Sequence, residues 1–156
     1  MEKGPRGMKP TPKCFIDTNV LLYAKDKTSP SKLKAATAWL SALLDRNAAV
    51  LSAQSLREYY VNVLRQDRSR PAVAALRAHI AALDDVVPDG LRSDHLALAW
   101  ELQDRHRVSF WDALLLASAL TAGCGIFLSE DMSDGQKIET LTIVNPFTTA
   151  PESVLG

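Results

Sequence analysis

The chain has 156 residues, of which 47% are hydrophobic and 23% are charged, with 18 basic and 18 acidic side chains. This length and composition indicate one globular domain with a substantial core and exclude an intrinsically disordered chain. A net charge of zero excludes a protein that attracts polyanions over its whole surface. Binding to nucleic acid would therefore have to rest on local clusters of charge.

The ends and the overall hydropathy of the sequence set its expected location and domain limits. No apolar run approaches membrane-spanning length, and the N-terminus has no apolar signal core, so we expect a soluble, cytoplasmic protein without a membrane partner. Cys14 and Cys124 lack metal-type spacing and suggest reduced thiols. Residues 1–12 are predicted to be a flexible extension, residues 13–147 the domain, and residues 148–156 a C-terminal tail.

Apolar runs of strand length alternate with apolar patterns of helical period along the chain. The segment 84–88 is ambiguous and is interpreted as an edge strand. This alternation indicates an α/β fold with a mostly parallel sheet. The predicted elements are, in order, strand 13–16, helix 20–24, a helix capped by Ser31 and ending near Arg46, strand 49–52, a helix opened by Ser55, a helix with Pro71 at its first position, helix 94–106, helix 110–122, strand 126–128 and strand 141–144.

Four carboxylates lie at predicted strand ends or helix starts. Asp17 ends the first strand, Glu58 lies in the first turn of the helix after the second strand, and Asp131 follows strand 126–128. Asp112 lies in the first turn of the most apolar helix, although no clear strand precedes that helix. Strand ends and the starts of the following helices share one rim of a parallel sheet. The sequence therefore predicts that these four acids gather at that rim.

Helix capping is the alternative explanation for these acids. Ser55 and Glu58 have the spacing of a capping box, and Ser109 and Asp112 have a close variant of it. An acid in the first helical turn also stabilises the helix dipole, by roughly 0.3–1 kcal/mol. Asp17 can likewise cap the helix that follows it. Capping and catalysis remain open for each of these acids taken singly.

Clustering of the acids would favour a metal site. Two carboxylates about 4 Å apart repel by on the order of 4 kcal/mol at an effective dielectric constant near 20, and three by on the order of 10 kcal/mol. A cation removes this cost, and oxygen ligands favour Mg²⁺ or Mn²⁺. Such a site is suited to phosphodiester hydrolysis.

Other residues give weaker functional signals. The three histidines have no zinc-type spacing and are expected at the surface. The basic residues that could contact phosphates have a solvated surface as their alternative role. These two sets are His79, His95 and His106, and Arg65, Arg68, Arg70, Arg105 and Arg107.

Four parts of the sequence together resemble a known family. They are Phe15-Ile16-Asp17-Thr18-Asn19-Val20-Leu21, then Glu58, then Ser109-Phe110-Trp111-Asp112-Ala113-Leu114, and Leu128-Ser129-Glu130-Asp131-Met132. Over residues 13–147 the sequence is similar to the PIN-domain nucleases, and among them to VapC-type toxins of bacterial toxin–antitoxin pairs. The resemblance implies a three-layer α/β/α sandwich with an acidic pocket. It also implies a Mg²⁺- or Mn²⁺-dependent endoribonuclease that forms a homodimer and is inhibited by a cognate antitoxin.

The same resemblance assigns roles to individual residues. It implies that Asp17 and Asp112 are the principal metal ligands, that Asp131 holds a second ion or an ordered water, and that Glu58 binds metal or orients the attacking water. Asp134 is the second choice for the fourth acid. The residues implied to support the site by hydrogen bonds are Thr18, Asn19 and Ser129.

Two other functions are compatible with this fold. One is a PIN nuclease of RNA processing that is not a toxin. The other is a non-catalytic binding module, in which the four acids are helix caps and surface charges, since a fold does not by itself determine a function. The first would share the metal chemistry, whereas the second predicts no uptake of divalent metal.

Overall fold

The computed structural model describes residues 10–88 and 93–156, so the first nine residues of the predicted extension lie outside the described part. Helices separate the first three strands along the chain, as predicted. The elements are β1 (Cys14–Ile16), α1 (Thr18–Tyr23), α2 (Pro30–Asp45), β2 (Ala49–Val50), α3 (Ala53–Gln66), α4 (Arg70–Leu83), α5 (Ser93–His106), α6 (Phe110–Thr121), β3 (Ile126–Leu128), β4 (Lys137–Ile138), β5 (Leu141–Val144) and α7 (Pro151–Leu155).

The five strands form one sheet with the order β2-β1-β3-β5-β4. Strand β1 is parallel to both β2 and β3, and β3 is parallel to β5. Among the strands of the described residues, only β4, which the sequence analysis missed, pairs antiparallel, with β5. The prediction of a mostly parallel sheet is therefore confirmed. Because β1 and β3 are adjacent, the residues that follow their carboxyl ends lie side by side.

Successive residues of the central strands supply two separate cores. Ile16 packs in one core with Trp39 of α2 and residues of α1 and α3. Phe15 packs in the other with residues of α5 and α6, and its ring stacks on Phe127 with centroids 5.2 Å apart. Because adjacent strand residues point to opposite faces, helices cover both faces of the sheet. This is the expected three-layer α/β/α sandwich.

The segment 148–156, predicted to be a tail, contains α7 and packs on the domain. Pro151 and Leu155 of α7 are buried. Trp39 is fully buried beneath this segment, and its Nε1 donates hydrogen bonds to the carbonyl oxygens of Pro146 at 3.0 Å and Thr149 at 2.9 Å. The C-terminal residues of the chain thus complete the core on the α2 side of the sheet.

Three local predictions were wrong. Helix α2 begins at Pro30, with Ser29 at its N-cap position, so Ser31 lies inside the helix and is not its cap. Pro71 is the second residue of α4, because the helix begins one residue earlier. The segment interpreted as an edge strand forms a 3₁₀ turn, Asp84–Val86.

The prediction of surface histidines was also wrong for His95. Its side chain is buried, because it shares the inner face of α5 with Ala99 and Leu102, four and seven residues further on. The described residues contain no helix that is long and apolar enough to cross a membrane.

Both cysteines are buried and unbonded to each other. Burial, with a smaller contribution from Cys124, raises the pKa of Cys14 to about 12. Burial also raises the pKa of Cys124 to about 12, against an opposing effect of Lys13. The thiols are therefore protonated at neutral pH.

Candidate active site

Asp17 leaves β1 at the rim of the sheet. Its backbone N–H donates to the carbonyl oxygen of Leu128 at the end of β3, at 3.2 Å. Asp17 occupies the N-cap position of α1, but its carboxylate makes no capping hydrogen bond. Instead, Oδ2 of Asp17 accepts a hydrogen bond from Oγ of Ser129 at 3.3 Å. The capping alternative for the Asp17 side chain is therefore wrong.

Asp17 has other acidic side chains close to it. Burial raises the pKa of this carboxyl to about 6, against the opposing effects of the nearby backbone N–H of Thr18 and of the hydroxyl of Ser129. The charges of Asp112 and Asp131 raise the pKa further. Asp112 and Asp131 are thus each close enough to act on Asp17. This repulsion favours occupation of this place by a cation.

The loop after β3 is fastened through Ser129. This residue is fully buried, and its backbone N–H donates to the carbonyl oxygen of Val144 at 3.0 Å. Its Oγ donates to Asp17 and accepts from the backbone N–H groups of Asp131 at 3.2 Å and Met132 at 3.4 Å. One hydroxyl therefore connects the end of β1 to the acidic loop.

Two further residues of α1 hold the outer acids. Oδ2 of Asp131 accepts a hydrogen bond from the side-chain amide of Asn19 at 2.7 Å. Oε2 of Glu58 accepts one from the hydroxyl of Thr18 at 3.1 Å. Thr18, Asn19 and Ser129 thus donate hydrogen bonds to carboxylates from three different parts of the fold.

The predicted capping box at Glu58 is wrong. Helix α3 begins at Ala53, and Ser52 caps it by accepting from the backbone N–H of Ser55 at 2.9 Å. Glu58 therefore lies beyond the first turn. Its Oε1 accepts from the side-chain amide of Gln54 at 3.2 Å, one turn earlier in the helix.

The predicted cap at Asp112 is confirmed, and it leaves the carboxylate available. Oγ of Ser109 accepts a hydrogen bond from the backbone N–H of Asp112 at 3.1 Å. Because this contact uses the backbone, the side chain of Asp112 can still act at the site. Both readings of Asp112 are compatible with the structure.

Asp134 and Glu130, the other acids of this loop, have different partners. Oδ1 of Asp134 accepts from the backbone N–H of Asn145 at 2.9 Å, which joins the loop to the end of β5. Glu130 forms an ion pair with Lys32 of α2. Lys32 was missed by the sequence analysis, because no local pattern relates it to a residue 98 positions later.

The donor set is compatible with Mg²⁺ or Mn²⁺, although it is not closed. Within residues 10–88 and 93–156, no three His, Cys, Asp or Glu side chains are arranged tightly enough to enclose a metal ion. Mg²⁺ rarely needs such an enclosure, because it is usually held by one or two carboxylates together with waters and substrate phosphates. The oxygen-only donors suit such an ion, and a cation would relieve the repulsion that Asp112 and Asp131 exert on Asp17.

The basic residues considered as phosphate contacts are exposed. Arg65, Arg68 and Arg70 lie at the end of α3 and the start of α4. Arg105 forms an ion pair with Glu139 in the turn between β4 and β5. A role for them in binding nucleic acid stays a prediction.

The sequence matches the model of a protein family. The model of the PIN domain matches residues 14–133, which contain all four acids. The chain belongs to the PIN domain family. No curated protein matches the sequence.

Three solved structures share the fold at low sequence identity. A toxin–antitoxin complex from Klebsiella pneumoniae aligns with a TM-score of 0.61 and 16% identity, over 86% of this chain and 98% of that one. VapBC2 from Rickettsia felis, bound to a promoter DNA fragment, aligns with a TM-score of 0.56 and 15% identity, over 83% and 96%. The Mycobacterium tuberculosis toxin VapC20, which cleaves the sarcin–ricin loop, aligns with a TM-score of 0.52 and 22% identity, over 76% and 92%.

Proposed function

We propose that this protein is a Mg²⁺- or Mn²⁺-dependent endoribonuclease that hydrolyses RNA phosphodiester bonds. The observation that carries the proposal is the convergence of charge on Asp17, whose pKa is raised by burial and by Asp112 and Asp131. A protein keeps such a cluster at little cost only when a cation neutralises it. The oxygen donors favour a hard ion over zinc.

The roles of the residues follow from their contacts. Asp17 and Asp112 would hold the ion, which when bound activates a water and stabilises the charge that develops on the phosphate. Asp131, oriented by Asn19, would hold a second ion or an ordered water. Glu58, oriented by Thr18, would bind metal or direct the attacking water. Ser129 keeps Asp17 and the acidic loop in place, as residues behind metal ligands generally do.

We further propose that the protein is the toxin of a type II toxin–antitoxin pair. Two structural neighbours are toxin–antitoxin complexes, and the third is a toxin that cleaves the sarcin–ricin loop of RNA. These likenesses support an antitoxin partner and an RNA substrate for this chain. A homodimer in the cytoplasm is part of the same proposal.

A non-catalytic binding module is the second candidate. It is favoured by the lack, within the described residues, of three side chains arranged to enclose a metal. In this case the acids would be structural and surface charges, and the protein would take up no divalent ion.

The decisive experiment is cleavage of a mixed cellular RNA pool by the purified protein with Mn²⁺ or with EDTA, beside Asp17→Asn prepared identically. Discrete products that need Mn²⁺ and are absent from the variant would support the nuclease. Saturable Mn²⁺ uptake that Asp17→Asn abolishes would exclude the binding module. Equal cleavage by both proteins would contradict the proposed roles. Growth arrest on induction, relieved by Asp112→Asn, would distinguish a toxin from an RNA-processing nuclease.

A further inference from the structure

We propose that Lys32 is a positioning residue for the candidate metal site: by binding Glu130 it fixes the loop 129–131 so that Asp131 is presented to the metal. This inference rests on the proposed metal-dependent function. Lys32 lies in the first turn of α2 and is separated in sequence from every acid of the site. Its ammonium group nevertheless reaches the loop that carries Ser129 and Asp131, both of which act on Asp17.

The ammonium group of Lys32 is contacted by a carboxylate, a hydroxyl group and two aromatic rings. Its Nζ donates to Oε1 of Glu130 and to the hydroxyl of Tyr23, the latter at 3.2 Å. The same atom lies 4.5 Å from the ring centroid of Tyr23 and 5.3 Å from that of Phe147. The two rings meet edge to face, 5.0 Å apart. Hydrogen bonding to Glu130 and then to Tyr23 raises the pKa of Lys32, so the group is charged at neutral pH.

These contacts join four separate parts of the fold. Tyr23 is the last residue of α1, and Lys32 lies in the first turn of α2. Glu130 belongs to the loop after β3, and Phe147 follows β5. An ion pair at an exposed surface contributes little, because solvent screens it and both side chains lose freedom. Here both side chains are about one-third exposed or less, and two aromatic rings restrict the lysine. The pair is therefore able to fix the position of the loop.

Three consecutive residues of the loop have three different anchors. Ser129 binds Asp17, Glu130 binds Lys32, and Asp131 binds Asn19. Two neighbouring carboxylates on a short loop can exchange positions when neither is held by a partner of its own. Lys32 separates them, because it neutralises Glu130 on the α2 side and leaves Asp131 to face α1. Without Lys32, Glu130 loses its partner and the loop loses one of its three anchors, so Asp131 is held less firmly in its position at the site.

The test compares Mn²⁺ affinity and loop protection in four purified full-length variants. Lys32→Met keeps the length of the side chain and its contact with the aromatic rings, but removes the charge. Lys32→Arg keeps the charge, Glu130→Gln removes the other half of the pair, and Lys34→Met is a matched control at an exposed position of the same helix. Mn²⁺ binding is measured by calorimetry, and loop protection by hydrogen exchange of the metal-free protein over residues 126–135.

We expect Lys32→Met and Glu130→Gln each to weaken Mn²⁺ binding by about 10- to 100-fold, as is typical of residues that orient metal ligands. The backbone amides of Asp131 and Met132 should exchange faster in both variants. Lys32→Arg should restore most of the affinity, and Lys34→Met should behave as the wild type. A fifth variant, which combines Lys32→Met with Glu130→Gln, should bind Mn²⁺ no more weakly than the more affected single variant, because the two residues act as one pair.

Unchanged Mn²⁺ affinity or unchanged exchange in Lys32→Met, with a wild type that binds Mn²⁺, would overturn this inference and leave the proposed nuclease intact. An equal loss in Lys34→Met would also overturn it, because the effect would then be one of surface charge. A folded wild type that takes up no Mn²⁺ would overturn the metal-dependent function together with this inference.

Discussion

The side-chain amide of Asn19 donates a hydrogen bond of 2.7 Å to Oδ2 of Asp131, across 112 residues of sequence. The contact is made possible by the sheet, because β1 and β3 are parallel neighbours whose carboxyl ends lie together. A neutral amide orients the carboxylate without cancelling its charge. The negative potential at this rim is therefore retained for a cation while the geometry of the loop is fixed.

Replacement of Asp17 by Asn should stabilise the metal-free protein. Burial and neighbouring acids raise the pKa of Asp17 from 3.8 to about 6, so its ionised form is unfavourable in the folded state at pH 7. We expect the free energy of unfolding in EDTA to rise by on the order of 1–3 kcal/mol. Chemical denaturation measures this, with exposed Asp104→Asn as the control. A less stable Asp17→Asn would mean that Asp17 is structural.

The stabilisation of the protein by Asp17→Asn should decrease as the pH falls. A carboxyl whose pKa is higher in the folded state than in the unfolded state contributes stability below its unfolded pKa, and loses that contribution as the pH rises towards the folded value. For Asp17 this window lies between about 4 and 6. The difference in unfolding free energy between Asp17→Asn and wild type should therefore shrink as the pH falls from 7 to 4. A difference that grows towards low pH would contradict the assignment.

Replacement of Ser129 by Ala should impair the site more than the fold. The change leaves the backbone N–H groups of Asp131 and Met132 without their shared acceptor and frees Asp17 from its donor. We expect a loss of about 1–3 kcal/mol in unfolding free energy and a drop of about 10- to 100-fold in Mn²⁺ affinity. Ser118→Ala is the matched control, because its hydroxyl bonds only to its own helix, at Leu114. Mn²⁺ affinity that is unchanged in Ser129→Ala would refute the orienting role.

Substitution of Glu58 should affect activity, whereas substitution of Ser52 should affect stability. Glu58 makes no capping contact, whereas Ser52 caps α3 through the backbone N–H of Ser55. We expect Glu58→Gln to reduce RNA cleavage by about 10²- to 10⁴-fold, the range for loss of a general base, with little change in melting temperature. Ser52→Ala should lower stability by about 0.5–2 kcal/mol while retaining cleavage. The reverse pattern would make Glu58 a structural residue.

The identity of the fourth acid can be tested by two matched amide substitutions. Asp131→Asn should reduce Mn²⁺ affinity and cleavage, because it removes a charge beside Asp17. Asp134→Asn should behave as wild type, since an asparagine oxygen can still accept from the backbone N–H of Asn145. Calorimetry and the RNA assay on both variants measure this. Loss of Mn²⁺ binding in Asp134→Asn alone would reverse the assignment.

The sheet and the general place of the acids could be predicted from the sequence. Buried strands such as Cys14–Ile16 and Ile126–Leu128 are continuous apolar runs, and the polar residues that end them are visible by eye. Parallel pairing then requires the ends of these strands to meet. The fold class and the nearness of Asp17 to Asp131 follow from these local features, whereas the three layers were implied by the resemblance to the PIN-domain nucleases.

The start of α3 could not be predicted in the same way. Ser52 and Ser55 both have the composition of a cap, and which of them is used depends on where β2 ends. Strand β2 ends at Val50, two residues earlier than predicted, so the cap shifts to Ser52. This shift of three residues removed the capping explanation for Glu58.

Long-range contacts also lay beyond sequence reasoning. The ion pair of Lys32 with Glu130 depends on the packing of α2 against the loop after β3. Helix α7 is only five residues long, and its burial depends on the pocket around Trp39. Neither contact has a local sequence pattern, because each is produced by the assembled fold.

The burial of Cys14 and Cys124 makes the protein suitable for site-specific labelling. Thiol reagents attack the thiolate, and with pKa values raised to about 12 neither native cysteine supplies it at neutral pH. A cysteine introduced at an exposed position, such as Thr121 at the end of α6, would therefore be the single reactive thiol of the chain. Fluorescent or spin probes could then be attached to the otherwise unaltered protein.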